Sequence, residues 1–401
     1  MTRPLPAETA EAHEIASLPG LAFVVHGSLA ACEADWRRLE RRACPSTFQT
    51  FAWASAWVAA FADEGVDLRI VVGRRAGEPC LIVPLALERR FGARVLGWLG
   101  GCWNDYNAPL VAADLALPEG PAAVARLWRE IAALAGPADL VELAKEAPSL
   151  GGGRTNVLRH PTSTAEDNSA FALDLTPDMA HGLRFGGRTL SGLDRKWRKL
   201  AREGALAIER LPRGHAAAEA VRAMLDWKER TLHERGASNP FADPRSRTFL
   251  AGFAQDPQAR SRTVALFLDG EPIAVTLCLE EEDELLIYQT AYDRRFARGS
   301  PGAQLLSHLI RTAAAEGLRR LDFAFGEDGY KNEICNRRTV LTRALVPLSP
   351  LGGLVAAGSR ARLSLRRAVK GNDLVYRTAL RVSRALRNAR APAAPPQPER
   401  V

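Results

Sequence analysis

The fold of this chain is decided by one stretch of its sequence, YDRRFARGSPGAQLLSHLIRTAAAEGLRRLDFAFGEDGYKNE, at residues 292–333. Its apolar spacing predicts an amphipathic helix over 301–316, with Ser300 at the N-cap and Pro301 at the first helical position. An apolar strand precedes the stretch, and another follows the helix over 319–325. The order of strand, loop, helix and strand indicates a mixed α/β fold.

The loop before this helix predicts a site for a phosphate or pyrophosphate group. Where a strand passes through a glycine-containing loop into a helix, backbone N–H groups and the positive end of the helix dipole point toward one place. Gly299 and Gly302 would let the backbone approach a ligand closely, and Arg294, Arg295 and Arg298 lie in the approach. A well-capped helix with a glycine-bearing turn is the alternative interpretation of the same residues.

Titratable side chains are concentrated at the end of the strand that follows the helix. Asp322 lies on the strand, and Glu327, Asp328, Tyr330 and Lys331 come directly after it. Carboxylates and a phenol at one strand end can serve as general base and general acid. The alternative is a solvated turn in which Tyr330 packs on a neighbour and Lys331 forms a surface ion pair with Glu327.

The remainder of the chain gives the same order of elements twice: helices, a meander of three strands, a helix and another strand. The first set of predicted elements comprises strands at 68–74, 80–87 and 94–99 and a helix at 121–135. The second comprises strands at 263–270, 272–281 and 285–293, of which the first two are joined by the hairpin signal Asp269–Gly270. No repeat is visible at the level of residues, so an internal duplication is predicted from the architecture alone.

Length and composition indicate two domains with appendages. A chain of 401 residues exceeds what one hydrophobic core usually organises. The segment 148–168 is rich in Gly, Ser, Thr and Pro and is typical of a crossing between domains. We therefore predict four parts: a disordered N-terminus over 1–20, a first half over 21–165, a second half over 166–348 and a tail over 349–401.

Several classes of protein are excluded by composition. Hydrophobic residues make up 47% and charged residues 25%, as in ordinary soluble globular proteins. No apolar run approaches the roughly 20 residues that a bilayer span needs, and the N-terminus lacks a secretory signal, so we expect a cytoplasmic protein. The six cysteines form no CxxC pair and are expected to be buried free thiols. The seven histidines show no metal-ligand spacing, so no metal site is predicted.

The positive charge of the chain resides in its tail. The net charge is +8, but from Leu354 to the end eleven basic residues stand against two acidic ones, which leaves −1 for everything before. Within 360–390, apolar residues from Val375 to Leu386 recur at helical spacing opposite arginines. This basic amphipathic helix would suit an anionic membrane surface or a partner groove, or it packs on the body. No specific nucleic acid is expected, because the body lacks net positive charge.

The stretch from Tyr292 onward resembles the GNAT-fold acyltransferases of the CelD/FemAB type, which include the cellulose biosynthesis protein CelD. In that family a YSPG-like turn starts a helix, and the pattern G-x-x-x-x-D-F-x-x-G-x-x-x-Y-K follows, as it does here over 317–331. The resemblance is continuous over 170–346 and weaker over 21–147, where GCWNDYNAPLV (101–111) matches the family's D-Y-x-x-P-L. The loop departs from the ordinary GNAT pattern Q/R-x-x-G-x-G/A, because Pro301 precedes Gly302 and Ala303.

The resemblance implies a tandem of GNAT-like halves, each with a mixed, mostly antiparallel sheet flanked by helices. It implies acetyl-CoA or another acyl-CoA as donor and an amine or saccharide acceptor, in the setting of polysaccharide or cell-envelope synthesis. Donor-binding candidates are Gln289, Tyr292, Arg298, Gly299, Ser300, Gly302 and Ala303. Catalytic candidates are Asp322 or Glu327 as base, Tyr330 as acid and Lys331 as acceptor anchor; acceptor-binding candidates are Asp105, Tyr106 and Tyr288.

Two alternatives stay open at this point. One is peptidyl transfer from aminoacyl-tRNA, as in FemAB-like proteins. The other is a scaffold without catalysis that docks at the inner face of the membrane through its basic tail.

Overall fold

A computed structural model describes residues 11–62, 66–149, 155–175, 184–185, 188–236, 239–326 and 329–370. The first half contains β1 (His13–Glu14), β2 (Ala22–His26), α1 (Glu33–Ala43), α2 (Phe51–Phe61), β3 (Asp67–Arg75), β4 (Glu78–Arg90), β5 (Ala93–Trp98), β6 (Leu110–Val111), α3 (Pro121–Ala135) and β7 (Leu140–Glu146). β8 (Thr164–Asp174) lies between the halves. The second half and the tail contain β9 (Arg184–Phe185), β10 (Arg188–Thr189), α4 (Leu190–Leu200), β11 (Leu206–Leu211), α5 (His215–Arg235), α6 (Arg245–Gln255), β12 (Ser261–Leu268), β13 (Glu271–Glu280), β14 (Glu284–Tyr292), α7 (Pro301–Ala313), β15 (Arg320–Phe325), α8 (Lys331–Ile334), β16 (Arg337–Pro347) and α9 (Pro350–Lys370).

The two halves repeat one topology within a single continuous sheet. In the first half β2, β3, β4 and β5 are antiparallel neighbours, and β7 then pairs parallel to β5. In the second half β11, β12, β13 and β14 follow the same order, and β15 pairs parallel to β14. Two helices precede the second strand of each set, and one helix links the two parallel strands. The tandem arrangement predicted from the element order is confirmed.

The halves are joined by an exchange of strands at the centre of the sheet. β8 follows the first half in sequence but pairs with β15, and β16 follows the second half but pairs with β7. β8 and β16 also pair with each other, antiparallel. Each half therefore completes its sheet with a strand from beyond its own end.

The two faces of the sheet bury different cores. The larger core combines α1, α2 and α3 with α5 and α6, so that it runs through both halves. At its centre, the Trp53 ring lies edge-on to Phe249 and Phe253, with centroids 4.8 and 4.9 Å apart. The smaller core lies on the second half and packs β12–β15 against α4 and α7. Helix packing across the halves fixes their mutual position.

Most of the predicted elements are present, and the differences have local causes. The helices at 121–135 and 215–235 have the expected bounds, and Asp269 and Gly270 form the hairpin turn with φ of +51° and +84°. The predicted crossing at 148–168 overlaps β8, which begins at Thr164. The six cysteines are free thiols, but Cys44 and Cys102 are exposed, which corrects the expectation of uniform burial.

No helix in the described ranges combines the length and apolarity that a bilayer span demands. The predicted tail helix at 360–390 extends past residue 370 and to that extent lies outside the described residues.

Candidate active site

The parallel strands of the second half separate after three residue pairs and leave a wedge between them. Glu284, Leu285 and Leu286 of β14 pair with the first three residues of β15, the last pair being Leu286 with Asp322. Beyond that pair, the backbone groups of β14 bond to β13 and those of β15 to β8. The site is built around this opening.

Both strands that border the wedge are irregular at the point where it opens. On β14, Ile287 pairs with Cys278 and Gln289 with Leu277, so Tyr288 is a bulge residue. On β15, the register shifts between Asp322 and Phe325, and Ala324 adopts a left-handed φ of +59°. Bulges turn backbone amides and side chains away from the regular ladder. Here the bulge on β15 directs the Ala324 N–H to the Asp322 carboxyl, and the bulge residue Tyr288 donates its hydroxyl to the Trp103 carbonyl.

The equivalent wedge in the first half is filled by the chain itself. β5 and β7 also pair at three positions, the last being Gly97 with Glu142. Beyond it, the buried Asn104 donates its side-chain amide to the Leu99 carbonyl at 2.9 Å. The buried Asn107 donates its own to the Ala144 carbonyl, also at 2.9 Å. This segment closes the first wedge.

The carboxyl at the apex of the wedge also differs between the halves. Glu142 holds the position in the first half that Asp322 holds in the second, the third parallel pair. Glu142 forms ion pairs with Arg90 and with Arg343 of the exchanged strand β16. Asp322 takes part in no ion pair among the described residues. Only the second half thus combines an open wedge with a carboxyl that is available for chemistry.

Asp322 is held by a hydrogen bond from the other half of the molecule. The Tyr106 hydroxyl donates to Asp322 Oδ2 at 2.7 Å, and the Ala324 N–H donates to Oδ1 at 2.7 Å. Burial raises the pKa of Asp322 to about 6, although both hydrogen bonds oppose that rise. A carboxyl with a pKa close to neutrality can accept and return a proton, as a general base must.

A cavity of about 960 Å³ lies between the halves and reaches Asp322. Its first-half wall comes from the residues after α1, from 44 to 49, and from Tyr106. Its second-half wall comes from the beginnings of β14 and β15 and from the acidic run Glu280–Glu284. The carboxyl at the apex of the wedge is therefore accessible from this cavity.

Carboxyl groups with raised pKa values gather on the cavity wall. Burial raises the pKa of Glu281 to about 7, against the Thr47 N–H that donates to it at 2.8 Å. Burial also raises the pKa values of Glu40 and Glu284. Taking a carboxylate out of water disfavours its charged form, and a cation placed beside it reverses that effect. The cavity wall is therefore suited to binding a positively charged ligand.

Most of the arginines on the same wall are already neutralised. Of the five that line the cavity, Arg319 pairs with Asp283, and Arg320 and Arg337 both pair with Asp174. Seven acidic residues line the cavity, and three of them, Glu280, Asp283 and Glu284, are also in ion pairs with arginines. The balance of charge is negative.

Two of the four polar residues that follow β15 belong to the described part of the chain. The Tyr330 ring packs edge-on against Phe323 with centroids 6.3 Å apart. Lys331 is 4% exposed, and its ammonium donates to the Gly326 carbonyl at 3.1 Å, so the alternative of a surface position does not hold. Glu327 lies outside the described residues.

Few side chains of the loop between β14 and α7 are available to bind a ligand at the start of the helix. Arg294 and Arg295 are tied in ion pairs with Glu234 and Asp293, whereas Arg298 is exposed and has no such partner in the described chain. Ser300 stands at the N-cap, as predicted, but its side chain does not cap the helix. Instead its hydroxyl accepts a 2.6 Å hydrogen bond from the Lys196 ammonium of α4.

The two glycines of this loop make room for side chains of the chain itself. A Cβ at Gly299 would lie 3.2 Å from Leu200, and one at Gly302 would lie 3.2 Å from the Tyr292 ring. The sequence suggested that glycine allows a ligand to approach the backbone here. The space beside each glycine is instead taken by a side chain of the protein itself. A donor-binding role for Gly299 and Gly302 stays a prediction.

The other predicted site residues line the wedge or support it. The Gln289 side-chain oxygen is buried and finds no hydrogen-bond partner among the described atoms. Tyr288 donates its hydroxyl to the Trp103 carbonyl at 2.8 Å, and Asp105 pairs with Lys145 at 3.2 Å. Ala303 packs against the smaller core. Asp105 and Tyr288 thus have structural partners, and Gln289 has a buried oxygen without one among the described atoms.

Sequence reasoning missed the carboxyl-lined wall of the cavity and the place of Lys196. Glu40 and Glu281 come together only in three dimensions, through the Thr47 segment that follows α1. The run Glu280–Glu284 was a usable signal, because five consecutive acidic residues between two strands are more than a tight turn requires.

Comparison with known proteins agrees with this geometry. Residues 187–332 match the family model of the acetyltransferase (GNAT) domain. The matched region lies in the second half and includes β14, α7 and β15. No curated protein matches the chain.

A solved structure shares the fold over most of this chain. The crystal structure of FemX aligns over 86% of this chain and 100% of its own, with a TM-score of 0.55 at 10% identity. A tandem GNAT protein from the clavulanic acid biosynthesis pathway aligns over 81% and 98%, with a TM-score of 0.43 at 16% identity. The C-terminal domain of a putative lysylphosphatidylglycerol synthetase from Agrobacterium fabrum aligns over 82% and 96%, with a TM-score of 0.44 at 12% identity. At these identities the likeness concerns the fold.

Proposed function

We propose that the protein is an acyltransferase with one active site, in the wedge between β14 and β15. The observation that carries the proposal is the difference between the two wedges. The first is filled by Asn104 and Asn107, and its carboxyl is bound by two arginines. The second opens beside Asp322, which faces a large cavity between the halves.

The residues around the wedge fit an acyl-CoA donor. Gln289 contributes a buried oxygen that lacks a partner, and Lys196 and Arg298 contribute two cations near the start of α7. Cations and helix N-termini are the groups that hold phosphates in proteins. When bound, the donor supplies a thioester carbonyl that an amine can attack. The bulge at Tyr288 interrupts the β13–β14 ladder, and a backbone N–H released there would polarise that carbonyl.

The cavity favours an amine over a neutral sugar hydroxyl as the acceptor. An alkyl ammonium would be stabilised by Glu40 and Glu281, two buried carboxyls that line the cavity. With a pKa near 10, such an ammonium is almost entirely protonated at pH 7, and removing its proton costs about 4 kcal/mol. Asp322, ionised above its pKa of about 6, would accept that proton directly or through water.

The remaining roles follow from position. Tyr106 orients Asp322 across the boundary between the halves. Tyr330 is proposed as the acid that protonates the departing thiolate, and Lys331 holds the turn after β15 in place through the Gly326 carbonyl. The setting of polysaccharide or envelope synthesis rests on the CelD/FemAB resemblance and stays a prediction.

Peptidyl transfer from aminoacyl-tRNA is the second candidate. One observation favours it: α4 lies against the loop before α7 and exposes Arg195, Arg198 and Lys199 beside Lys196. A row of cations of this kind can follow a nucleic-acid backbone.

Calorimetric titration with acetyl-CoA separates these candidates. We expect binding by the wild-type protein and at least tenfold weaker binding by Arg298→Glu, because the charge near α7 is reversed. Arg295→Glu is the matched control, since Arg295 is also exposed but already paired with Asp293. With donor bound, CoA release is then measured against a panel of amine and sugar acceptors. Absence of binding up to millimolar acetyl-CoA would leave aminoacyl-tRNA transfer or a non-catalytic role.

A further inference from the structure

Helix α9 is fixed rigidly to the body by one of its faces. Val355 and Ala356 are buried with Ala93 and Leu140 in a small core of their own. At Gly352 the helix comes so close to the body that an added Cβ would lie 1.7 Å from the Asp139 carbonyl oxygen. The helix therefore has a defined inner face and, by the same geometry, a defined outer face.

The outer face carries an apolar stripe that the described chain leaves exposed. Its members recur at alternating spacings of three and four residues, which places them on one side of the helix: Leu351, Leu354, Gly358, Ala361 and Leu365. Leu354 is 73% exposed and Leu365 is 66% exposed. Three of the eight large hydrophobic residues that are exposed in the described structure belong to this one face. Single exposed leucines are ordinary, but an ordered row is not.

The charged residues of the helix are all of one sign. Between Pro350 and Lys370 the sequence contains four arginines and one lysine and no acidic residue: Arg360, Arg362, Arg366, Arg367 and Lys370. The sequence from Leu354 to the end carries +9, whereas the rest of the chain carries −1. An apolar stripe on a helix whose charges are all cationic matches a surface that is anionic outside and apolar beneath.

We propose that α9 docks the protein on an anionic lipid surface, with the leucine stripe inserted among the acyl chains and the arginines among the headgroups. A nucleic acid would use the arginines but leave the leucines in water. A second copy of the chain would bring the same five positive charges against them. The lipid surface alone satisfies both observations.

Vesicle co-sedimentation of the full-length protein tests the proposal. We expect binding to phosphatidylcholine vesicles that contain 30% phosphatidylglycerol, little binding to pure phosphatidylcholine, and loss of binding as salt rises. The double variant Leu354→Ser and Leu365→Ser should lose at least tenfold in partition coefficient. Val157→Ser is the matched control, because Val157 is 43% exposed and belongs neither to α9 nor to the small core beneath it.

Each result decides the matter. Arg362→Glu should weaken binding while preserving the thermal unfolding midpoint, because its side chain is exposed. Equal binding of the wild type and the leucine double variant would overturn the proposal, and so would equal binding to both kinds of vesicle. A stripe that is covered by self-association would appear as a dimer that the leucine double variant abolishes without any change in vesicle binding.

Discussion

The hydrogen bond from Tyr106 to Asp322 joins residues that are 216 positions apart in the sequence. It stabilises the ionised carboxylate and so opposes the effect of burial on the Asp322 pKa. The pKa of the proposed base is therefore partly controlled by the other half of the chain.

Replacing Tyr106 by Phe tests this control. Loss of the hydrogen bond raises the pKa of Asp322 further, so the acidic limb of the rate profile moves to higher pH by about one unit. We expect a roughly three- to tenfold loss of turnover at pH 6 and near recovery at pH 8, where the carboxyl is ionised in both proteins. The measurement is kcat against pH. A uniform loss at every pH would assign Tyr106 to packing instead.

The sequence made the local part of the site predictable and left the distant part hidden. Asp322, Tyr330 and Lys331 lie within ten positions of one another after a clear strand, so their proximity could be inferred. The contact of Glu281 with the Thr47 segment depends on the docking of two halves. No local pattern encodes that docking.

Among the elements, α9 shows how close packing depends on a missing side chain. Gly352 touches the body where a methyl group would overlap the Asp139 carbonyl, whereas nothing lies within 4 Å of the corresponding point at Gly353. Both glycines lie in the same helix, so they form a matched pair.

Gly352→Ala is expected to destabilise the protein by about 1–3 kcal/mol, because α9 must move away from β7. Gly353→Ala should instead leave stability unchanged or raise it by less than about 1 kcal/mol, since alanine favours the helix. Urea unfolding midpoints measure both. Similar losses in the two variants would show that helix propensity and not contact with Asp139 controls the outcome.

Elements with a clean apolar period were predictable, and those shaped by their neighbours were not. The helix at 215–235 shows its period directly. β8 begins with polar residues in a region rich in turn formers and becomes a strand because β15 and β16 flank it. Likewise, β11 is half-exposed at the sheet edge and offers only a weak alternation.

At the scale of the whole molecule, the exchanged strands make the halves mutually dependent. β16 completes the sheet of the first half, and β8 completes that of the second. Neither half has a full set of strands within its own contiguous sequence. We therefore expect the protein to unfold as one unit.

The variant Leu321→Ala tests whether the two halves unfold together, because Leu321 is fully buried on β15 in the second half. The cavity should cost about 2–5 kcal/mol. Six of the eight tryptophans belong to the first half, so tryptophan fluorescence follows that half. The fluorescence midpoint in urea should fall together with the circular dichroism midpoint. A fluorescence transition that stays in place while dichroism shifts would mean that the halves unfold independently.

The strand exchange also has a consequence during synthesis. Glu146 on β7 can pair with Thr342 on β16 only after a further 196 residues have been synthesised. At translation rates of about 5–20 residues per second, the interval is roughly 10–40 s. Throughout that time the nascent first half holds a bare strand edge, so ribosome-bound chains that end before Arg337 should be clients of the chaperones that shield such edges.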